Sequence, residues 1–322
     1  MTVYHVNQES DALLRTIREE VLDKENRVVV AVTGPQGSGK TERLLVTAAE
    51  AKEHHAFVVY FDITSKAPWI VRGLAVTFEK SARDAGLVKM LGAPAWLRSL
   101  TSLAKVKDES YDPKQAGRRI GEALNAAAPS FLLLNDLHNL VELQEVDLFA
   151  KTVEEVIGVI KPGVLVMFSC YASYITWLTM NHPAFASRVN RVVALATLSD
   201  DEARVVLAKR LLAKRIVEDL EPTYPFDREA VQELNQASRG NPRRLFELAD
   251  FVLEQAVATR VYQIDAETVR SALAARETAA PSSPPSWQET PRTGSEASNP
   301  PEATSPPATT VAKRRSIWGK SR

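Results

Sequence analysis

The residues whose types and spacing most clearly predict chemistry form a glycine-rich segment that fits the pattern G-x-x-x-x-G-K-[ST] at every fixed position. It consists of Gly34, Pro35, Gln36, Gly37, Ser38, Gly39, Lys40 and Thr41. Such a segment holds a polyphosphate on the backbone N–H groups of a loop and a helix N-terminus, where the helix dipole adds positive charge. We expect Lys40 to contact the β- and γ-phosphates and the Thr41 hydroxyl to ligate Mg²⁺. The segment therefore predicts a site for ATP and Mg²⁺.

The elements on either side of this segment are those that would position it. Residues 28–32 form an unbroken apolar run, which is typical of a buried parallel strand. Residues 41–52 are good helix formers, and Leu44, Leu45 and Ala48 fall on one face. The predicted order is strand, glycine-rich turn and helix, as phosphate binding requires.

Further strands are predicted at residues 57–63, 131–134, 164–168 and 192–196. Helical patterns separate them, which predicts a parallel sheet covered on both faces, and residues 64–130 are long enough to contain a helical insertion. An amphipathic helix over residues 10–24 precedes the first strand. After residue 198 only helices are predicted, at 199–215, 227–238, 242–258 and 265–275, with N-caps at Ser199, Asp227 and Asp265.

The composition is that of a globular protein, with 45% hydrophobic and 25% charged residues. Lys plus Arg and Asp plus Glu both number 40, so the overall charge of zero gives no reason to expect nucleic-acid or membrane binding outside a local patch. Cys170 is the single cysteine, which excludes an internal disulfide and is more typical of a packed thiol than of a nucleophile. We expect no signal peptide and no membrane span, and hence a cytoplasmic protein.

The C-terminal segment differs in composition from the rest of the chain. Residues 281–307 are rich in Pro, Ser, Thr, Ala and Glu, which predicts disorder because little apolar area is available for burial. A short basic and aromatic cluster follows: Lys313, Arg314, Arg315, Trp318, Lys320 and Arg322. It is either a solubilising tail or a docking site for nucleic acid or a partner protein.

The predicted strand at 131–134 ends in polar residues, Asn135 and Asp136. Here the chain resembles the AAA+ ATPase superfamily, whose Walker B strand ends in Asp-Glu. The resemblance puts Asn135 at the position of the magnesium ligand and Asp136 at that of the catalytic glutamate. A shift of one residue would instead make Asp136 the magnesium ligand and leave no acidic base beside it. In either alignment the departure affects hydrolysis more than nucleotide binding.

Three further positions resemble functional residues of this superfamily. Ser169, at the end of the strand predicted at 164–168, matches the first sensor. Arg188 matches the arginine finger that acts on a neighbouring subunit, with Arg191 as the alternative. Arg243, in the sequence Gly-Asn-Pro-Arg at a helix start, matches the second sensor in the helical lid.

The resemblance implies an α/β P-loop NTPase (AAA+) core at residues 1–198, an α-helical lid at 199–276 and a disordered tail at 277–322. The Gly-Asn-Pro-Arg lid is similar to that of origin-recognition initiators and transposition ATPases, although we expect a disordered tail after the lid where such initiators continue into a winged-helix domain. The insertion interleaves basic and aromatic residues that suit a phosphate backbone or a solvated face: Lys66, Trp69, Arg72, Lys80, Arg83, Lys89, Trp96, Arg98, Lys105 and Lys107.

Two functions follow as hypotheses. The first is an ATP-hydrolysing switch that assembles as a homo-oligomer on DNA or on a partner protein. The second is a sensor or scaffold that binds ATP without hydrolysing it, for which restoration of turnover by Asn135→Asp is the expected signature. A kinase is a third and weaker hypothesis, because the lid arginine and the finger candidate argue against it.

Overall fold

The computed structural model describes residues 8–23, 26–63, 70–86, 95–103, 112–141, 146–214 and 221–279. The chain divides into two compact units, Met1–Ala279 and Ala280–Arg322, and every described residue belongs to the first. The predicted disordered segment and the basic cluster at the C-terminus therefore lie outside the described residues. Within the described part of the chain, no helix has the length and apolar character needed to cross a membrane.

Five parallel strands form one sheet within the described ranges. They are β1 (Val28–Thr33), β2 (Phe57–Asp62), β3 (Ser130–Asn135), β4 (Val164–Cys170) and β5 (Arg191–Ala194). Their spatial order is β2-β3-β4-β1-β5, and every pairing is parallel. All residues of β1, β3 and β4 are buried, because helices cover both faces, and this confirms the predicted α/β class. The edge strand β5 ends two residues before its predicted end, since its register with β1 stops at Thr33 and Ala194.

Eight α-helices accompany the sheet in the described ranges up to residue 198. They are α1 (Gln8–Leu22), α2 (Lys40–Glu53), α3 (Ile70–Asp84), α4 (Ala95–Leu103), α5 (Pro113–Ala126), α6 (Val146–Val159), α7 (Ala172–Asn181) and α8 (Pro183–Ala186). Side chains alternate across the strands, so each face of the sheet has its own core. Phe131 and Leu133 of β3 pack with α1 and α2, whereas Leu132 and Leu134 face α3, α5 and α6.

Helices α3, α4 and α5 lie between β2 and β3, in the region of the predicted insertion. Helix α5 packs closely against α6 because two of its residues are glycines. A Cβ atom at Gly117 would lie 2.4 Å from the Thr152 carbonyl oxygen, and one at Gly121 would lie 2.2 Å from Val159 Cγ2. The absence of side chains at these two positions lets the two helices approach.

In the described residues after β5, four helices share a separate hydrophobic cluster. They are α9 (Asp200–Leu212), α10 (Arg228–Ser238), α11 (Pro242–Thr259) and α12 (Ala266–Ala279). Ser199 and Glu202 form the predicted capping box at α9, and Asp227 caps α10 by accepting a hydrogen bond from the Ala230 N–H. We call these helices the lid.

Candidate functional site: a phosphate-binding loop between sheet and lid

The glycine-rich loop joins the carboxyl end of β1 to the start of α2. Gly37 has φ 79° and Gly39 has φ 94°, a left-handed region that glycine enters without strain. Gly39 is also the N-cap of α2, so the helix begins without a capping side chain. The first N–H groups of any α-helix have no acceptor within the helix, and those of α2 follow directly on the loop. The local geometry is therefore suited to an anion.

Lys40 is buried and turned back onto the loop. Its Nζ donates hydrogen bonds to the carbonyl oxygens of Gly34 and Pro35, each at 2.8 Å, and lies 4.8 Å from the ring centroid of Tyr171. The hydroxyl of Ser38 is buried and has no hydrogen-bond partner among the described residues. A cation and an unsatisfied hydroxyl at one loop fit a bound phosphate group.

Asn135 is the centre of a hydrogen-bond network at the carboxyl edge of the sheet. Its Oδ1 accepts from Thr41 Oγ1 at 3.1 Å and from Ser169 Oγ at 2.8 Å. Its Nδ2 donates to Asp62 Oδ1 at 2.9 Å and to Asp136 Oδ2 at 3.1 Å. The structure thus brings together Thr41, Asn135, Asp136 and Ser169, which the sequence analysis had selected separately.

Asp136 has an unusual backbone and a perturbed carboxyl group. Its φ is 57°, which is sparsely populated for residues other than glycine, and its N–H donates to Ser169 Oγ at 2.8 Å. Burial raises the pKa of the Asp136 carboxyl and the nearby charge of Asp62 adds to the rise, whereas Lys40 and hydrogen bonds from Ser169 and Asn135 act in the opposite direction. A raised pKa is typical of carboxyl groups at functional sites.

The oxygens of Thr41 and Asn135 are hard donors of the kind that Mg²⁺ prefers. No group of three or more His, Cys, Asp or Glu side chains in the described ranges is arranged to hold a metal ion. A nucleotide-bound Mg²⁺ does not need such a group, because phosphates and water fill most of its coordination shell. The residues present therefore fit a metal ion that arrives with its nucleotide.

The lid contacts the loop directly through the start of α11. Asn241 caps this helix and also donates from Nδ2 to the Gln36 carbonyl oxygen at 2.7 Å. The Arg243 N–H donates to the Gly37 carbonyl oxygen at 3.3 Å. A Cβ atom at Gly37 would lie 2.8 Å from both Arg243 Cβ and Asn241 Oδ1. The predicted lid arginine therefore lies beside the loop, with its guanidinium exposed and paired to Glu247 at 3.1 Å.

The two candidate finger arginines lie away from this edge. The Asn190 N–H donates to the Val29 carbonyl oxygen, which places the chain around Arg188 near the amino end of β1. Six residues of β1 separate that end from the loop, or roughly 20 Å at ~3.3 Å per residue. Arg188 donates to the Glu154 carbonyl oxygen of α6, and Arg191 pairs with Glu20 of α1.

Other predicted residues take structural positions. Trp96 is partly buried and packs on the core, with its ring centroid 6.1 Å from that of Phe57. Arg83 pairs with Glu79 on α3. Burial raises the pKa of the Cys170 thiol to about 12, as expected of a packed side chain. Five of the basic and aromatic residues named in the insertion between β2 and β3 lie outside the described residues: Lys66, Trp69, Lys89, Lys105 and Lys107.

The sequence analysis missed two residues of the site, Asp62 and Tyr171. Asp62 ends β2 just as Asn135 ends β3, and the carboxyl ends of parallel strands meet at one edge, so the signal was present in the strand assignment itself. Tyr171 follows β4, and its ring lies beside Lys40 and packs on that of His138, with the centroids 3.9 Å apart and the planes tilted by 42°. The sequence carries no signal for that contact.

No protein-family model matches the sequence, and no curated protein matches it. Solved structures do match its fold. Orc2 of Aeropyrum pernix, in ADPNP and ADP complexes, superposes with a TM-score of 0.54 at 15% identity, covering 84% of this chain and 68% of that one. Orc1 of the same organism, in complex with DNA, gives a TM-score of 0.53 at 16% identity, over 86% and 67% of the chains. A mutant of Thermotoga maritima RuvB gives 0.51 at 15% identity, over 84% and 70%.

The likeness to these structures shows a shared fold, and it confirms the predicted α/β class of the core.

Proposed function

We propose that this chain is an AAA+ ATPase that binds ATP with Mg²⁺ at residues 34–41 and acts as a nucleotide-dependent switch that assembles on DNA or on a partner protein. One observation carries the proposal. The glycine-rich loop lies between the polar ends of β3 and β4 on one side and the start of the lid helix α11 on the other. A phosphate group bound there would lie next to the residues at the ends of β3 and β4 and at the start of α11.

Each residue of the site has a role in this proposal. Lys40 would leave the carbonyl oxygens of its own loop and bond the terminal phosphates, while Thr41 would offer its hydroxyl oxygen to the metal ion and Asn135 would orient that hydroxyl by accepting its hydrogen bond. Bound Mg²⁺ neutralises charge on the phosphates. Asp136 orients the attacking water, and Ser169 holds Asp136 and Asn135 in place. The Arg243 guanidinium would break its ion pair with Glu247 and bind the γ-phosphate instead.

The position of Arg188 supports assembly into an oligomer. It lies at the amino edge of the sheet, too far from Lys40 to serve the nucleotide of its own chain. An arginine finger at this edge would act on the nucleotide of a second copy. The DNA-bound Orc1 structure has the same fold, which supports testing DNA as the assembly platform.

A specific observation favours the second candidate function, an ATP-binding sensor that does not hydrolyse. Asn135 lacks the charge of the usual magnesium ligand. The missing charge slows hydrolysis and leaves the loop able to bind ATP.

Binding and turnover of ATP by the full chain separate these functions. We expect wild type to bind ATP and Lys40→Ala to lose binding by at least about tenfold, since a charge-assisted bond to phosphate is worth roughly 1.5–3 kcal/mol. Lys52→Ala, at an exposed position of the same helix, is the matched control. Turnover that vanishes in Lys40→Ala supports the switch, whereas binding without turnover supports the sensor. Wild type that does not bind ATP would refute both.

Assembly needs its own measurement. We expect the native mass to increase with ATP plus DNA, and Arg188→Ala to abolish any turnover stimulated by assembly while Arg191→Ala preserves it. A gel-shift assay with and without ATP tests DNA directly. Absence of a shift at low salt, where phosphate contacts are strongest, would end the DNA part of the proposal.

A further inference from the structure

The side-chain amide of Asn135 uses its complete hydrogen-bonding capacity. It accepts two bonds at Oδ1, from hydroxyl groups, and donates two at Nδ2, to carboxylates. Rotating the amide by half a turn would set its oxygen against two carboxylates that have no proton to donate. The orientation in which the amide oxygen faces Thr41 is therefore fixed by the acids on the other side.

One of these acids, Asp62, belongs to a different strand. The parallel register of β2 and β3 pairs Asp62 with Asn135, and both are the last residues of their strands. Asp62 Oδ1 lies 2.9 Å from Asn135 Nδ2, on the side away from Thr41. The position is set by the sheet, so the contact does not depend on a loop.

The pairing explains why an amide stands at position 135. A carboxylate there would face Asp62 and Asp136 within hydrogen-bond distance, with no donor between the three acids. Like charges so close in a partly buried site are strongly unfavourable. Asparagine bridges the two acids and preserves two negative charges at the site, the same number as in an Asp-Glu strand end.

We propose that Asp62 replaces the missing carboxylate of β3 and acts as a positioning residue for the nucleotide-bound metal ion. It does so through Asn135, by holding the amide oxygen toward Thr41 and by supplying negative charge behind it. The inference rests on the proposed function, since it concerns the same ATP and Mg²⁺ site. It also changes the expectation for Asn135→Asp, which should impair the site when made alone.

The test measures how much Mg²⁺ improves ATP binding. The dissociation constant of ATP is determined by calorimetry in Mg²⁺ and in EDTA for the full chain, and the ratio of the two values is compared between variants. Asp62→Asn preserves size and removes charge, so we expect this ratio to fall by about 10- to 100-fold, as for other residues that orient a metal ligand. Binding in EDTA should not weaken. Asp84→Asn, an exposed acid at the end of α3, is the matched control.

Exchanging the two residues tests the pairing independently of nucleotide. Asn135→Asp alone should lower the melting temperature of the nucleotide-free chain, because three acids then meet. The double variant Asp62→Asn/Asn135→Asp should recover both the melting temperature and the Mg²⁺ ratio. An unchanged ratio in Asp62→Asn, or effects of the two substitutions that simply add, would overturn the inference.

The outcome also separates this inference from the proposed function. If wild type binds ATP tightly in Mg²⁺ and Asp62→Asn does the same, the function stands and the role of Asp62 falls. If wild type does not bind ATP, both the proposed function and the role of Asp62 at the metal ion are refuted. Recovery of the melting temperature in the double variant would then establish only the pairing of positions 62 and 135.

Discussion

The contact between loop and lid predicts different costs for the same substitution at two neighbouring glycines. Gly37 and Gly39 both have positive φ, so an alanine at either position is strained by roughly 1–2 kcal/mol. At Gly39 a Cβ atom would meet nothing within 4 Å. At Gly37 it would lie 2.8 Å from two lid atoms, Arg243 Cβ and Asn241 Oδ1, closer than real Cβ atoms approach.

The difference between the variants isolates the lid contact. Overpacking a fitted site costs about 1–3 kcal/mol, so Gly37→Ala should lower the free energy of unfolding by that amount more than Gly39→Ala does. Urea denaturation of the nucleotide-free protein measures both values, and analysis at equal m-values excludes changes in the unfolded state. Nucleotide must be absent, because both glycines belong to the proposed binding loop.

Hydrogen exchange provides a local readout of the same contact. The Arg243 N–H bonds to the Gly37 carbonyl oxygen, so its exchange should accelerate in Gly37→Ala and stay near the wild-type rate in Gly39→Ala. Equal destabilisation by the two alanines, within about 0.5 kcal/mol, would refute the reasoning. So would an unchanged exchange rate at Arg243 in Gly37→Ala.

Three further predictions concern stability and reactivity. Because burial raises the pKa of Asp136 above its ordinary 3.8, the stability it contributes is complete below about pH 4 and is lost as the pH rises through the raised value. Asp136→Asn, which also tolerates φ 57°, should therefore melt higher than wild type at pH 7 and lose this advantage near pH 4, and equal melting at pH 7 would contradict this. Gly121→Ala should destabilise the protein by about 1–3 kcal/mol in urea although alanine favours helices, whereas Glu122→Ala on the exposed face should have little effect. Native Cys170, buried and with a pKa near 12, should react with a thiol reagent no faster than the protein unfolds, and rapid labelling at pH 8 would show that the thiol is accessible.

Much of the fold could be predicted because its signals are local. An apolar run, a glycine-rich turn and a helical pattern each lie within about fifteen residues, and together they placed β1, the loop and α2. The same holds for the lid caps, since Ser199 and Glu202 are three residues apart. The predicted end of β5 was wrong by two residues. An edge strand ends where its pairing with the neighbouring strand ends, and the pairing of β5 depends on β1.

The site was predictable only in part, because its contacts join distant segments. Asn135 and Ser169 were selected as strand ends, and the rule that parallel strands end at one edge brings them together. The same rule applied to Asp62 would have completed the network, but the strand predicted at 57–63 puts Asp62 one residue before its end, so Asp62 was not selected as a strand end. Asn241 reaches Gln36 across 205 residues, and no pattern within the sequence indicates that contact.

The loop contact explains how a phosphate could move the lid in the switch proposed above. A peptide unit is rigid and planar, so its N–H and C=O groups turn together. In a loop that gathers its N–H groups around a phosphate, the carbonyl groups must point outward, and those of Gln36 and Gly37 bond to Asn241 and Arg243 of α11. Any rotation of these peptides on phosphate binding therefore changes the bonds that hold the lid. Gly37 is the position where this coupling is tightest, because no side chain separates the loop from the helix.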